Sequence, residues 1–261
     1  LPFMNNECDP QVGWRHLHTW RALPYYAAII CRMLNQHLLH LGDDLGVDYA
    51  LLGGDHGFVG EWGHRTLTAR FADFADSRAQ AEHQTQADDL QEDPARRAFE
   101  LIKKPALTVK ALLNLLGDRR CNVQGALLPD APIGVIATRR ADAQVAILIY
   151  HSKDRFYADG EVTVELNLQS LPFEDSIIAH YRIDDDHSNP FAAWETHGAK
   201  RHPWATPDIY RAMRLEQEPA LLELPEHITG HDQTLTMTLP LPAVSLIVIS
   251  ADPGHAPASV T

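Results

Sequence analysis

An α/β segment followed by an all-β domain is the fold the sequence predicts, and two observations predict it. Between residues 1 and 54 two short apolar runs flank one helical pattern, whereas after residue 130 six alternating runs succeed one another. Of the 261 residues, 45% are hydrophobic, so the chain can bury one large core or two smaller ones and is neither disordered nor fibrous.

The chain opens on Leu1-Pro2-Phe3-Met4, which breaks into Asn5-Asn6-Glu7 and then Cys8-Asp9-Pro10, the pattern of a strand leaving a sheet for a loop. Barrel enzymes assemble their sites from such strand ends, and acidic residues beside proline also form turns, so Glu7 reads as a catalytic carboxylate or as a loop cap. The chain begins at Leu1 with no earlier element for this strand to pair with, and the expectation is an N-terminally truncated fragment.

Over residues 20–41, Tyr26, Ile29, Ile30, Met33, Leu34, His37, Leu38 and Leu41 recur at helical spacing, with Gly42 as the stop. Residues 48–54 then read as a buried strand with Asp55 just past its end. Strand, helix and strand in that order make a parallel crossover unit. Residues 72–98, rich in Ala, Gln, Asp and Glu, read as a solvent-facing insertion. From 98 to 116 a helical pattern returns, with Pro105 in its first turns and Gly117 as its stop; if Pro105 opens the helix, the residues before it form a separate turn.

Strands are predicted at 133–138, 145–150, 161–168, 177–183, 234–239 and 244–250, the succession expected of an antiparallel β-sandwich. A helix-bearing excursion at 203–223, with Trp204, Ile209, Tyr210, Met213 and Leu215, interrupts them. The two domains are expected to meet near residue 125, giving 1–125 and 126–261.

A formal charge of −13 argues against broad electrostatic binding to nucleic acid or to an anionic membrane, and leaves room for one anionic sugar in a local basic pocket. No apolar run is long enough to span a bilayer. Cys8, Cys31 and Cys121 are too widely spaced for a disulfide framework or a Cys-x-x-Cys pair, and reduced thiols are expected. No Asn-x-Ser/Thr acceptor is present. His16 and His18 project to one side of an extended segment without obvious further ligands, a polar loop rather than a zinc site.

Several segments together resemble the retaining glycoside hydrolases of family 39, its α-L-iduronidase branch more than its β-xylosidases. They are Asn6-Glu7-Cys8-Asp9-Pro10 with Val12-Gly13-Trp14, Tyr49-Ala50-Leu51-Leu52 leading to Asp55, and Arg65-Thr66-Leu67-Thr68-Ala69-Arg70-Phe71. Lys104-Pro105, Ile147-Leu148-Ile149-Tyr150 and Leu239-Pro240-Leu241-Pro242 with Ser245-Leu246 carry the similarity nearly end to end.

The resemblance implies the C-terminal part of a (β/α)8 TIM barrel, with strands and helices seven and eight, followed by an antiparallel β-sandwich. It implies that Glu7 is the nucleophile of a double displacement, attacking an anomeric carbon through an oxocarbenium-like transition state. It implies that Asp55 binds the sugar, and that Arg65 with the backbone amides at Gly13 and Trp14 receives a sugar carboxylate, a task suited to a planar guanidinium. Read without the resemblance, Arg65 is a surface partner for an acid such as Glu61, and Trp14 is a core aromatic. The family's acid/base sits in another Asn-Glu motif; Asn6-Glu7 is the only one here, so the acid/base is expected upstream and the fragment alone is expected to be inactive.

The expected partners are therefore a carbohydrate substrate and the missing N-terminal part of the chain's own barrel, with no metal or organic cofactor. Arg15 and His16 after Trp14, and Gly53-Gly54 before Asp55, depart from the family pattern and bear on which sugar is bound. Alternatives are a β-xylosidase of the same family and a non-catalytic carbohydrate-binding or structural β-sandwich carrying a barrel remnant. Animal members are lysosomal; the compartment of this protein is left open by its sequence, with the lack of glycosylation acceptors and paired cysteines leaning toward the bacterial cytoplasm or periplasm.

Overall fold

The computed structural model describes residues 23–41, 67–72, 99–125, 131–140, 144–155, 158–196 and 206–252. The two strands of the expected crossover unit, at the start of the chain and at 48–54, and most of the expected insertion lie outside the described residues. Helix α1 spans Pro24–Leu41. Strands β1 (Thr68–Ala72) and β2 (Phe99–Lys103) form an antiparallel hairpin with Ala69 opposite Ile102, and α2 follows at Pro105–Leu113. Strand character at 99–103 replaces the helix or turn expected there. Phe99, Leu101 and Ile102 suit either period, and the strand's partner lies some thirty residues upstream, beyond the reach of any local pattern.

Pro105 does open α2, its missing N–H falling where the helix has no internal acceptor to lose. The helix ends at Leu113, so Gly117 is not its stop. Gly117 is required for another reason: a Cβ there would run into the Arg139 backbone, and its N–H donates to Thr138 Oγ1 at 2.7 Å.

The rest of the chain is β3 (Arg119–Arg120), β4 (Ile133–Arg140), β5 (Gln144–His151), β6 (Glu161–Leu168), β7 (Asp175–Ile183), α3 (Pro190–Thr196), α4 (Pro207–Glu216), β8 (Ala220–Leu221), β9 (Glu226–Thr229), β10 (Gln233–Pro240) and β11 (Ala243–Ala251). All six expected strands form. Seven strands make one antiparallel sheet in the order β3-β4-β5-β11-β7-β8, with β9 also on β7; β6 and β10 pair separately, Leu166 opposite Leu235 and Val164 opposite Met237. Helix α4 begins as its sequence signals, with the Thr206 hydroxyl accepting from the Ile209 N–H, Pro207 at the first turn and Asp208 beside the positive helix end.

The large sheet is apolar on both faces, which is why β5 is buried almost throughout. Ala146, Leu148 and Tyr150, with Ile136, Val244, Leu246 and Ile183, pack against α1 and α2. Val145, Ile147 and Ile149, with Ile247, Ile249 and Ile178, pack against Val162, Val164, Leu166, Leu235, Met237 and Leu239 of β6 and β10. Those two strands alternate instead, apolar inward and Glu, Thr or Asn outward. Each fully buried side chain of this kind contributes about 1.5–3 kcal/mol over leaving it exposed.

Helix α1 is tied to the sheet by polar contacts as well. Asn35 Nδ2 donates to Tyr150 Oη at 3.1 Å in the buried seam, and Arg32 Nη1 donates to Asp154 Oδ1 at 2.8 Å at its edge. The Tyr150 ring lies over Gly134, where an added Cβ would collide with its phenol. Gly134→Ala is therefore expected to displace Tyr150, break its bond with Asn35 and destabilise the fold by about 2–3 kcal/mol, read as a lower denaturant midpoint.

Candidate functional site

Glu7, Gly13, Trp14, Asp55 and Arg65 all lie outside the described residues, and what the structure describes is the segments that follow them in the sequence. Helix α1 follows the segment that carries Glu7, Gly13 and Trp14. Strand β1 begins three residues after Arg65, and the Leu67 carbonyl at its head accepts the Lys104 N–H at 2.9 Å. Lys104 is fully buried between the hairpin and α2. Its carbonyl accepts the Leu107 and Thr108 N–H groups, closing the first turn of the helix.

A polar knot that the sequence reading missed closes β7. Arg182 Nη1 donates to Asp184 Oδ2 at 3.3 Å, and both Arg182 Nη atoms donate to the Thr238 carbonyl at 3.2 Å. Asp184 Oδ1 also accepts the Asp186 N–H at 3.0 Å and faces His187 Nδ1 at 2.7 Å. Ser188 Oγ donates to the Arg182 carbonyl at 2.8 Å and accepts the Ala220 N–H at 2.9 Å. The Asp184 carboxylate is thus committed to holding the turn, and the knot is structural. The run Arg182-x-Asp184-Asp185-Asp186-His187-Ser188-Asn189 was the available signal, because so many polar groups at a strand end must be satisfied locally. Burial first, and then the charges of Asp184 and Asp186, push the Asp185 carboxyl up.

His180, two residues before Arg182 on the same face of β7, is buried. Its pKa is pushed down to about 4, chiefly by burial and further by the charges of Arg182 and His187. The folded state thus holds His180 neutral while the unfolded chain protonates it below the ordinary value near 6.5. The stabilisation is complete above pH 6.5, falls as the pH drops and is gone below about 4, a loss of about 2–3 kcal/mol. Melting temperature is expected to fall by several degrees between pH 6.5 and 4, and His180→Gln should flatten that dependence. An unchanged slope in the variant would assign the acid sensitivity elsewhere.

Cys31 and Cys121 are free thiols; burial pushes the Cys31 thiol well up, leaving it inert packing in α1. Among the described residues no group of three or more His, Cys, Asp or Glu side chains is arranged to hold a metal ion. Among them, too, no helix is long and apolar enough to cross a membrane.

The family model for glycosyl hydrolases family 39 matches residues 1–232. The human α-L-iduronidase is 31% identical over 279 residues, covering 100% of this chain and 40% of that protein, and the mouse enzyme is 29% identical over 280 residues, covering 100% and 41%. A solved structure of the bacterial orthologue of human α-L-iduronidase superposes with a TM-score of 0.77 at 31% identity, over 99% of this chain and 43% of that one. A monomeric β-xylosidase from Caulobacter crescentus follows with a TM-score of 0.66 at 14% identity, over 96% of this chain and 46% of that one, a likeness of fold alone. The chain spans about two fifths of the length of the curated relatives it matches. With the family pattern running through most of its length, the chain belongs to family 39 of the glycosyl hydrolases.

Proposed function

We propose that the protein to which this chain belongs is a retaining exo-glycosidase of the α-L-iduronidase type, hydrolysing terminal uronic acid residues of glycosaminoglycan-type polysaccharides. The observation that carries this reading is the similarity to α-L-iduronidases across the whole chain at about 30% identity, against 14% for the xylosidase fold neighbour. In this reading residues 1–125 are the C-terminal part of a (β/α)8 barrel and residues 126–261 a β-sandwich domain. The antiparallel sheet between α1–α2 and β6–β10 supports that division of labour, since one face serves helices and the other serves strands.

Glu7 is the nucleophile. Its carboxylate attacks the anomeric carbon as the glycosidic C–O bond breaks, and water later hydrolyses the glycosyl-enzyme ester. The second carboxylic acid, about 5–5.5 Å away in a retaining enzyme, belongs to the part of the family barrel that this chain does not span. It protonates the departing oxygen and then deprotonates the water. Asp55 binds sugar hydroxyls, and Arg65 with the amides of Gly13 and Trp14 holds the uronate. The bacterial orthologue in the comparison is described as catalytically competent without N-glycans, in keeping with the lack of an Asn-x-Ser/Thr acceptor here.

Hydrolysis of chromogenic α-L-iduronide and β-D-xyloside by the full-length protein tests the reading. Iduronide cleavage is the expected result. Xyloside cleavage alone would make the protein a β-xylosidase, and cleavage of neither would leave a carbohydrate-binding or structural sandwich.

A further inference from the structure

The β1–β2 hairpin is held by helices from the far end of the chain. Ala69 and Ile102, paired across the hairpin, share an apolar cluster with Phe191 and Trp194 of α3 and Ile209, Tyr210 and Met213 of α4. Ile102 and Met213 have no exposed surface, and the Phe191 and Trp194 rings meet at 5.6 Å between centroids. Polar contacts extend this seam. The Lys103 N–H donates to Gln217 Oε1 at 3.0 Å, and Thr108 Oγ1, in the second turn of α2, donates to the Gln217 carbonyl at 2.9 Å. At the rim, Lys103 Nζ pairs with the Glu218 carboxylate at 2.5 and 2.8 Å.

Gln217, the C-cap of α4, therefore grips both β2 and α2, with its side chain on one and its backbone on the other. Lys103 stands opposite Thr68 in the hairpin register, and the next residue, Lys104, holds the Leu67 carbonyl. A hydrogen bond to Lys103 thus acts on the head of β1, three residues along the chain from Arg65. A main-chain N–H that turns away from its own hairpin needs an acceptor, and losing one both costs stability locally and frees the strand to shift.

We propose that Gln217 is a positioning residue for recognition of the sugar carboxylate: it locks the β1–β2 hairpin onto α2 and so fixes where the chain leading from Arg65 enters the fold. Specificity for a terminal uronide then depends on a residue of the β-sandwich half that touches no sugar. The inference rests on the reading of Arg65 as the uronate's partner.

The test uses Gln217→Ala, Gln217→Glu and Glu218→Ala in the full-length enzyme, with Arg65→Ala as reference, and has two readouts. The first is hydrogen–deuterium exchange over residues 67–72 and 99–103. The second is kcat and KM on the α-L-iduronide. In Gln217→Ala the hairpin should exchange about fivefold to tenfold faster at unchanged global protection, with KM raised about fivefold and kcat within about twofold of the parent. Gln217→Glu keeps the acceptor and should restore both, while the exposed Glu218 should matter little.

Unchanged hairpin exchange in Gln217→Ala would overturn the inference whatever the kinetics. Faster exchange with an unmoved KM, where Arg65→Ala does raise KM, would overturn it while leaving the reading of Arg65 intact. Faster exchange with Arg65→Ala itself silent would fell the reading of Arg65, and the positioning role with it.

Discussion

Glu7→Ala in the full-length protein is expected to lower kcat on an α-L-iduronide by about 10⁴-fold or more, with little change in melting temperature. Losing a nucleophile removes the covalent intermediate altogether, whereas losing a loop cap costs about 1 kcal/mol of stability and leaves the chemistry in place. The two readings that residue type and position allow for Glu7 are thus separated by orders of magnitude in rate. Sodium azide gives a second, independent check. The space left by the missing carboxylate admits a small anionic nucleophile, whose nitrogen can attack the anomeric carbon from the face Glu7 used while an activated phenolate leaves with the bonding pair. Partial recovery of rate, with a glycosyl azide of inverted configuration as product, is the expected outcome. Full activity in Glu7→Ala would remove Glu7 from the mechanism.

Much of the β-rich half was legible because its strands write their environment into a period of two. Glu161–Leu168 alternates strictly, and the structure turns its half-buried Val and Leu positions toward the core while leaving Glu161, Thr163, Glu165 and Asn167 exposed. The β5 run, Gln144–His151, departs from the alternation expected of it and is buried almost throughout, because helices cover one face and strands the other.

What escaped the sequence was set by distant partners. Phe99–Lys103 becomes a strand through pairing with Thr68–Ala72 and packing on α3 and α4, and Gly117 is glycine because β4 passes across it. Helix α3, at seven residues, is too short to show a period, and β3 and β8, at two residues each, are too short to show any. The proposed site follows different rules. A carboxylate at a strand end or an arginine in a loop has no periodic signature, so Glu7, Asp55 and Arg65 acquire their roles only from the family pattern that spans them, and the described frame shows what anchors the chain beyond Arg65.

Arg65→Ala should separate the two substrates. A terminal uronate brings a carboxylate into a partly desolvated pocket, and removing the cation that meets it leaves that charge uncompensated, at a cost of about 3 kcal/mol, or roughly a hundredfold in kcat/KM on the iduronide. A neutral xyloside carries no such charge, and its hydrolysis, if measurable at all, should change by no more than a few fold. Arg65→Lys should fall between, because an ammonium keeps the charge and loses the two parallel N–H donors that match a carboxylate. If Arg65 instead serves a surface ion pair with Glu61, losses should stay under about fivefold and vanish at high salt. Equal losses on both sugars would assign Arg65 to support of the pocket, and the selection of a uronide over a xyloside would then need another cation.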